Sequence, residues 1–222
     1  MGFPPFNSGI RQEELIEIII EYVYQYISKW RDACIRPNKE SEKILNPDLP
    51  KFLTTYAHEN ELPINFFPEE PQGNMRTIDF SVCYDKVECY NKPITVFECK
   101  RLSKKLPKDR KEEYVTGHKE TTGGIQRFKL EAHGKEHEIV GMIGYVQTGT
   151  YSDWLNTINN NICDLCGKPD ENGLYWAKEE NLETIEFDEE NGKSHSKSNH
   201  KRITKTDITI HHLWVNMQKM IL

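Results

Sequence analysis

Ile16, Ile19, Ile20, Val23, Ile27 and Trp30 recur at the three-and-four spacing that lines one face of a helix, so residues 10–31 are predicted to form an amphipathic helix. Asn7 and Ser8 stand where capping side chains are needed, and the early glutamates suit the positive end of the helix dipole. Glu13, Glu17 and Glu21 lie along one edge of the apolar stripe. A second, weaker helical pattern covers residues 49–60. A short strand is expected at 64–67, followed by a turn in the segment PEEPQGN. Two further strands, RTIDFSVCYD and ITVFECKRL, are β-branched and aromatic runs separated by a break at Tyr90-Asn91-Lys92-Pro93.

The pattern is less regular from residue 110 to 133. Its first half is charged and Gly123-Gly124 interrupts it, after which IQRFKLEAH reads as a short helix. Residues 138–149, EIVGMIGYVQTG, are continuously apolar, as in a strand buried on both faces. Ser152 is the expected cap of a helix DWLNTINNNI. Residues 164–202 are polar, with one strand expected at 182–187, and the chain closes on the strand DITIHHLWV. There is no internal repeat and no low-complexity linker. This order predicts one α/β domain with a mixed sheet: a core over residues 10–150, a polar elaboration over 151–205 and a closing strand over 206–216.

Composition narrows the class. Hydrophobic residues make up 36%, charged residues 29%, and the mean hydropathy is −0.73, which suits a soluble protein. No stretch reaches the roughly 18 apolar residues of a membrane span, and the start lacks the basic-then-apolar pattern of a secretory signal. Six cysteines in 222 residues are too sparse for a disulfide framework, so a reducing, cytoplasmic location is expected. The net charge of −6 argues against a protein coated for nucleic acid, yet KRLSKKLPKDRK, residues 100–111, holds seven basic residues and one acidic. Such a run is ordinarily a solvated face. Here it directly follows the strand bearing Glu98, where a substrate phosphate would need positive charge.

Asp79 and Glu98-Cys99-Lys100 are the candidate chemistry. Alternate residues of a strand share a face, so Glu98 and Lys100 point together and Cys99 points back. Ionised side chains inside apolar runs are costly unless paired or metal-bound. Magnesium prefers a few carboxylate oxygens and retains waters. One or two such ions supply an activated water, charge neutralisation and help for a leaving oxygen in phosphodiester hydrolysis. Asp79 and Glu98 are therefore the expected ligands of Mg2+ or Mn2+, joined by the backbone carbonyl of Cys99. Lys100 is expected to orient the attacking water and offset anionic charge.

A helix bearing glutamate, a strand Asp, then Glu-X-Lys on the next strand, followed by helix and strand, resembles the PD-(D/E)XK nuclease superfamily over roughly residues 10–150. Thr77-Ile78 stands where that family often has Pro before the Asp. The resemblance implies a restriction endonuclease-like mixed sheet flanked by helices, with a polar C-terminal elaboration. It also implies a metal-dependent endonuclease acting on DNA, with a role in prokaryotic defence, either restriction or anti-phage. The family's helix glutamate would correspond to Glu13 or Glu17. The small, acidic chain leaves little surface for reading sequence, which points to a homodimer or to targeting by a partner such as an ATPase of a defence system.

Other residues carry weaker signals. Gln147 ends the buried strand and is a candidate for positioning metal or water, against satisfaction of backbone at a strand end. Arg127, following Gly123-Gly124, could grip a phosphate, as could Arg101, Lys104 and Lys105; a plain helix start is the alternative for the glycine segment. Cys163 and Cys166 form a C-X2-C pair with His195 and His200 downstream, a candidate structural Zn2+ site with an unusually long gap. His211 and His212 face opposite ways in the closing strand, so at most one joins a site. A zinc-stabilised binding or adaptor subunit with an inert nuclease-like core is the alternative function.

Overall fold

A computed structural model describes residues 11–33, 41–71, 77–85, 92–117 and 121–218. The apolar stripe of the first segment becomes α1 (Gln12–Asp32), its Ile16, Ile19, Ile20, Val23, Ile27 and Trp30 all buried. The caps expected at Asn7 and Ser8 lie outside the described residues. Next comes α2 (Glu42–Glu59), which starts seven residues before the predicted 49. Pro47 and Pro50 lie inside it. Each proline removes an N–H from the helical ladder, which argues against a helix from sequence alone. Burial of Leu45, Leu49, Leu53 and Ala57 holds the helix through that loss.

Strands β1 (Ile64–Pro71), β2 (Thr77–Tyr84) and β3 (Thr95–Leu102) form an antiparallel meander. Part of the expected turn after β1 and the Tyr90-Asn91 break lie outside the described residues. Short helices α3 (Lys108–Glu112) and α4 (Gly124–Lys129) precede β4 (Ile139–Val146), which pairs parallel with β3. Then follow α5 (Tyr151–Asp164), β5 (Glu183–Asp188), β6 (Lys193–Lys201) and β7 (Asp207–Asn216). The sheet is mixed and seven-stranded, in the order β1-β2-β3-β4-β7-β6-β5. Residues expected to be a polar elaboration thus extend this same sheet, and β7 inserts between β4 and β6.

Helices cover both faces. Helices α1 and α2 pack on Phe80, Val82, Phe97, Cys99, Ile143, Tyr145, Leu213 and Val215. Helices α4 and α5 pack on the opposite side against Val96, Met142, Val146, Ile210 and Trp214. No helix among the described residues is long and apolar enough to cross a membrane.

Two local expectations are corrected. The cap of α5 is Thr150, not Ser152: its hydroxyl accepts the Asp153 N–H and the Asp153 carboxylate accepts the Thr150 N–H, both at 3.1 Å. The reciprocal pair satisfies two exposed helix-end donors, which Ser152 lacks the partner to do. Strand β6 was not expected, because its buried residues are Ser, His and Lys rather than apolar. They satisfy one another instead. Ser198 Oγ lies 2.7 Å from Nε2 of both His200 and His212, and His212 Nδ1 lies 2.9 Å from the Tyr114 hydroxyl.

Close approach explains a glycine in β4. A Cβ on Gly144 would lie 2.3 Å from Cδ1 of Trp214, whose ring is pinned by its Nε1–H donating to the Tyr114 hydroxyl at 2.8 Å. Gly144→Ala is expected to destabilise the fold by ~1–3 kcal/mol through overpacking. Urea denaturation checks this, and a midpoint equal to wild type would show that the ring yields.

Candidate functional site

The ladder between β2 and β3 ends at the pair Phe80–Phe97, whose rings stack at 4.6 Å. Beyond it the strands part, and two outward N–H groups of β3 lose their strand partners. Carboxylates take both. The Cys99 N–H donates to Asp79 Oδ2 at 2.6 Å, and the Arg101 N–H donates to Glu42 Oε1 at 2.9 Å. Since N–H and C=O of one residue face the same edge of a strand, the Cys99 carbonyl opens toward the same gap as Asp79. The Cys99 side chain points to the α1–α2 face and is buried.

Glu98 and Lys100 project to the opposite face, the one covered by α4. Glu98 is 1% exposed, so its charge must be met by protein groups. Lys100 Nζ reaches Oε1 at 2.9 Å, Arg127 Nη1 donates to the same oxygen at 2.7 Å, and His133 Nδ1 lies 3.0 Å from Oε2. An ionised carboxylate only accepts, so the His133 proton sits on Nδ1. Burial pushes the Glu98 carboxyl up, but Lys100, His133 and Arg127 together hold it well below the usual range. Burial also pushes Lys100 down, and Glu98, Asp79 and Glu42 more than restore it. Lys100 is therefore a fixed cation rather than a proton acceptor at neutral pH.

Asp79 is balanced differently. Burial and the negative charge of Glu98 push it up to about 7, against Lys100, the Cys99 N–H and Asn46. Asn46 Nδ2 donates to Asp79 Oδ1 at 2.7 Å, and among the described residues the buried Asn46 Oδ1 atom has no hydrogen-bond partner. Asp79 and the Cys99 carbonyl thus put oxygens on one side of the gap, where burial and the Glu98 charge outweigh the groups that offset the Asp79 charge, the donor chemistry a hard divalent cation takes. Glu98, by contrast, already meets three donors.

The structure brings Asp79, Glu98, Lys100 and Arg127 together and leaves other expected residues apart. Glu17 faces His211 at 3.4 Å, under α1 and on the other face of the sheet from Glu98. Glu13 is exposed in a cavity of about 360 Å³ lined also by Arg11, Glu136 and Glu138. The helix that reaches the gap is α2, through Glu42 and Asn46. Gln147 is buried just past β4, its N–H donating to the Leu102 carbonyl at 2.8 Å. Arg127 is held by Glu98 and by the Thr121 carbonyl, which its Nε meets at 3.2 Å. Gly123 approaches backbone rather than phosphate: a Cβ there would lie 2.3 Å from Thr116 Cα.

The basic stretch is largely paired internally. Lys104 meets Asp153 at 2.8 Å, Lys108 meets Glu112 at 3.7 Å, and Arg110 meets Glu113 at 2.7 Å and Glu42 at 3.5 Å. Arg101 lies 3.8 Å from Glu42, while Lys105 is exposed.

The proposed zinc ligands are separated. His195 and His200 are five residues apart in β6 and so face opposite sides of the sheet. His195 Nε2 lies 2.9 Å from His211 Nδ1 on the α1 side, whereas His200 lies 3.5 Å from Glu180 on the other. Cys163 contacts Asn181, and the Cys166 thiol donates to the Ile162 carbonyl at 3.4 Å. Among the described residues no three His, Cys, Asp or Glu side chains form a ready metal group.

Glu42, Asn46 and His133 escaped sequence reasoning. The prolines of α2 concealed the first two. The signal for His133 was only indirect, in that a buried Glu98 demands more donors than Lys100 provides. Comparison with protein families, curated proteins and solved structures finds no match. The chain is a mixed α/β protein whose seven-stranded sheet lies between helices.

Asp79 sets a pH dependence. Its proton is bound more tightly in the folded chain, at about 7 against 3.8. Its contribution to stability is therefore full below the lower value and is lost as pH rises through the window between them. Buried His195 and His200, pushed down by burial, act in the opposite sense, so the difference between variants is the clean readout. Asp79→Asn in EDTA is expected to gain stability relative to wild type as pH rises from about 5 to about 7, by at most on the order of 1 kcal/mol for each step of one in pH. A pH-independent difference in denaturation midpoint would remove the assignment.

Proposed function

We propose that the chain is a metal-dependent phosphodiesterase, a nuclease of the restriction endonuclease-like kind, with DNA as its substrate. The observation that carries this reading is the meeting of Asp79, Glu98 and Lys100 where β2 parts from β3, with a charge-deficient oxygen cluster beside a fixed ammonium. A divalent cation held by Asp79, Glu98 and the Cys99 carbonyl would supply Lewis acidity and an activated water. The chain's own residues do the rest. Lys100, kept charged by its carboxylate neighbours, lies where negative charge grows on a phosphate and stabilises it. Asn46 fixes the Asp79 carboxylate, and Arg127 is the side chain suited to a phosphate oxygen. The cytoplasm, prokaryotic defence and dependence on a dimer partner or ATPase belong to the same reading.

One observation favours a second reading, an inert nuclease-like subunit that binds without cutting. Glu98 is enclosed by Lys100, Arg127 and His133, as in a structural ion network.

Nicking of supercoiled plasmid in Mg2+ or Mn2+ separates the two. Wild type is expected to nick, and Asp79→Ala and Lys100→Ala to lose about 100-fold or more, the scale of removing one preorganised electrostatic group. Equal cutting by both variants would displace the site, and no cutting by wild type would leave the inert subunit.

A further inference from the structure

We infer that Arg127 occupies the cation's place on Glu98 in the free protein and gives it up to a phosphodiester oxygen, so that substrate and cation bind cooperatively. This rests on the phosphodiesterase reading of the site and adds an order to it.

The geometry is specific. Glu98 has two oxygens and both are engaged: Oε1 by Arg127 Nη1 at 2.7 Å and Lys100 Nζ at 2.9 Å, and Oε2 by His133 Nδ1 at 3.0 Å. A cation approaching Glu98 in this state meets three donors. Their freedom differs sharply. The His133 side chain is 2% exposed and Lys100 is 10% exposed, whereas Arg127 is 25% exposed. Lys100 is also fixed to β3 two residues from Glu98. Arg127 projects from α4, and among the described residues its side chain is otherwise held by the Thr121 carbonyl, 3.2 Å from Nε. Of the three donors it is the one able to turn toward solvent without leaving a buried charge.

A guanidinium binds phosphate and carboxylate in the same forked geometry, so a phosphodiester oxygen competes directly for it. Once Arg127 turns, Glu98 Oε1 retains only Lys100 and regains room for a cation. The other half of the donor set is Asp79, with the Cys99 carbonyl opening toward the same gap. Substrate therefore raises cation affinity, and by reciprocity the cation raises substrate affinity by the same factor. Free protein then holds little metal, and metal gathers only where a phosphate is present.

The test measures metal binding directly. Free Mn2+ is followed by electron paramagnetic resonance while wild type, Arg127→Gln and Lys108→Gln are titrated without nucleic acid. Arg127→Gln is expected to bind Mn2+ about tenfold more tightly than wild type, within the usual range of such couplings. Adding Glu98→Gln to it abolishes the gain. Lys108→Gln, which removes an exposed charge on α3, leaves affinity at the wild-type value. Arg127→Lys, which keeps the charge but loses the planar fork, falls between and serves if Arg127→Gln does not fold. In parallel, the affinity of wild type for a 20-base-pair duplex, read by fluorescence anisotropy, rises about tenfold on adding Ca2+, and that rise vanishes in Arg127→Gln. Unchanged Mn2+ affinity in Arg127→Gln, or an equal gain in Lys108→Gln, overturns the inference. Plasmid nicking with unchanged Mn2+ affinity would sink the inference alone. Tighter Mn2+ binding with no nicking by wild type would sink the nuclease reading and leave the competition between Arg127 and cation standing.

Discussion

A carboxylate 1% exposed in the middle of a sheet is the constraint on which much of the surrounding structure depends. Leaving such a charge without partners costs several kcal/mol. Meeting it dictates the course of the chain from residue 121 to 134. Arg127 and His133 must both reach Glu98, which seats α4 and the turn after it against β3 and β4. A helix as short as α4 has little stability of its own, and it is held a second time. Lys129, fully buried, meets both oxygens of Glu180 at 2.5 and 2.6 Å and lies over the Trp176 ring at 4.5 Å. Two ion pairs two residues apart therefore tie α4 to β3 and to the turn before β5.

The same economy runs through the far half of the sheet. Strands β6 and β7 carry histidines on both faces: His195 with His211 beneath α1, and His200 with His212 through Ser198 on the other side. Because alternate residues face opposite ways, a slip of β6 by one residue would send every one of these groups to the wrong partner. Polar pairing here specifies register, a task that alternating Ile78, Phe80 and Val82 perform in β2. It also fixes both histidines of the imagined zinc set in separate layers.

The sequence was legible where one kind of burial dominated. The stripe of α1 and the apolar runs of β2, β3, β4 and β7 read correctly because apolar residues filled the buried positions. Asp79, Glu98 and Lys100 stood out for the converse reason, as charges inside such runs. The start of α2 was hidden by Pro47 and Pro50, whose local cost is overcome by long-range packing of Leu45 and Leu49. Strand β6 was hidden because its interior is polar. The contributions of Glu42 and Asn46 were not legible, and that of His133 only as an unmet demand of Glu98, since each depends on two distant segments meeting.

The parting of β2 from β3 has one more effect. Glu98 and Lys100 belong to the strand continuous with β4, while Asp79 belongs to the β1–β2 hairpin and is held by Asn46 of α2. Among the described residues no ladder bond spans the gap between the two walls beyond Phe80 and Phe97. The spacing of the two carboxylates is therefore inherited from how the leucines of α2 are seated in the core. Small volume changes at Leu45, Leu49 or Leu53 would tune that spacing, so the interior beneath one helix acts as the adjusting screw of the site.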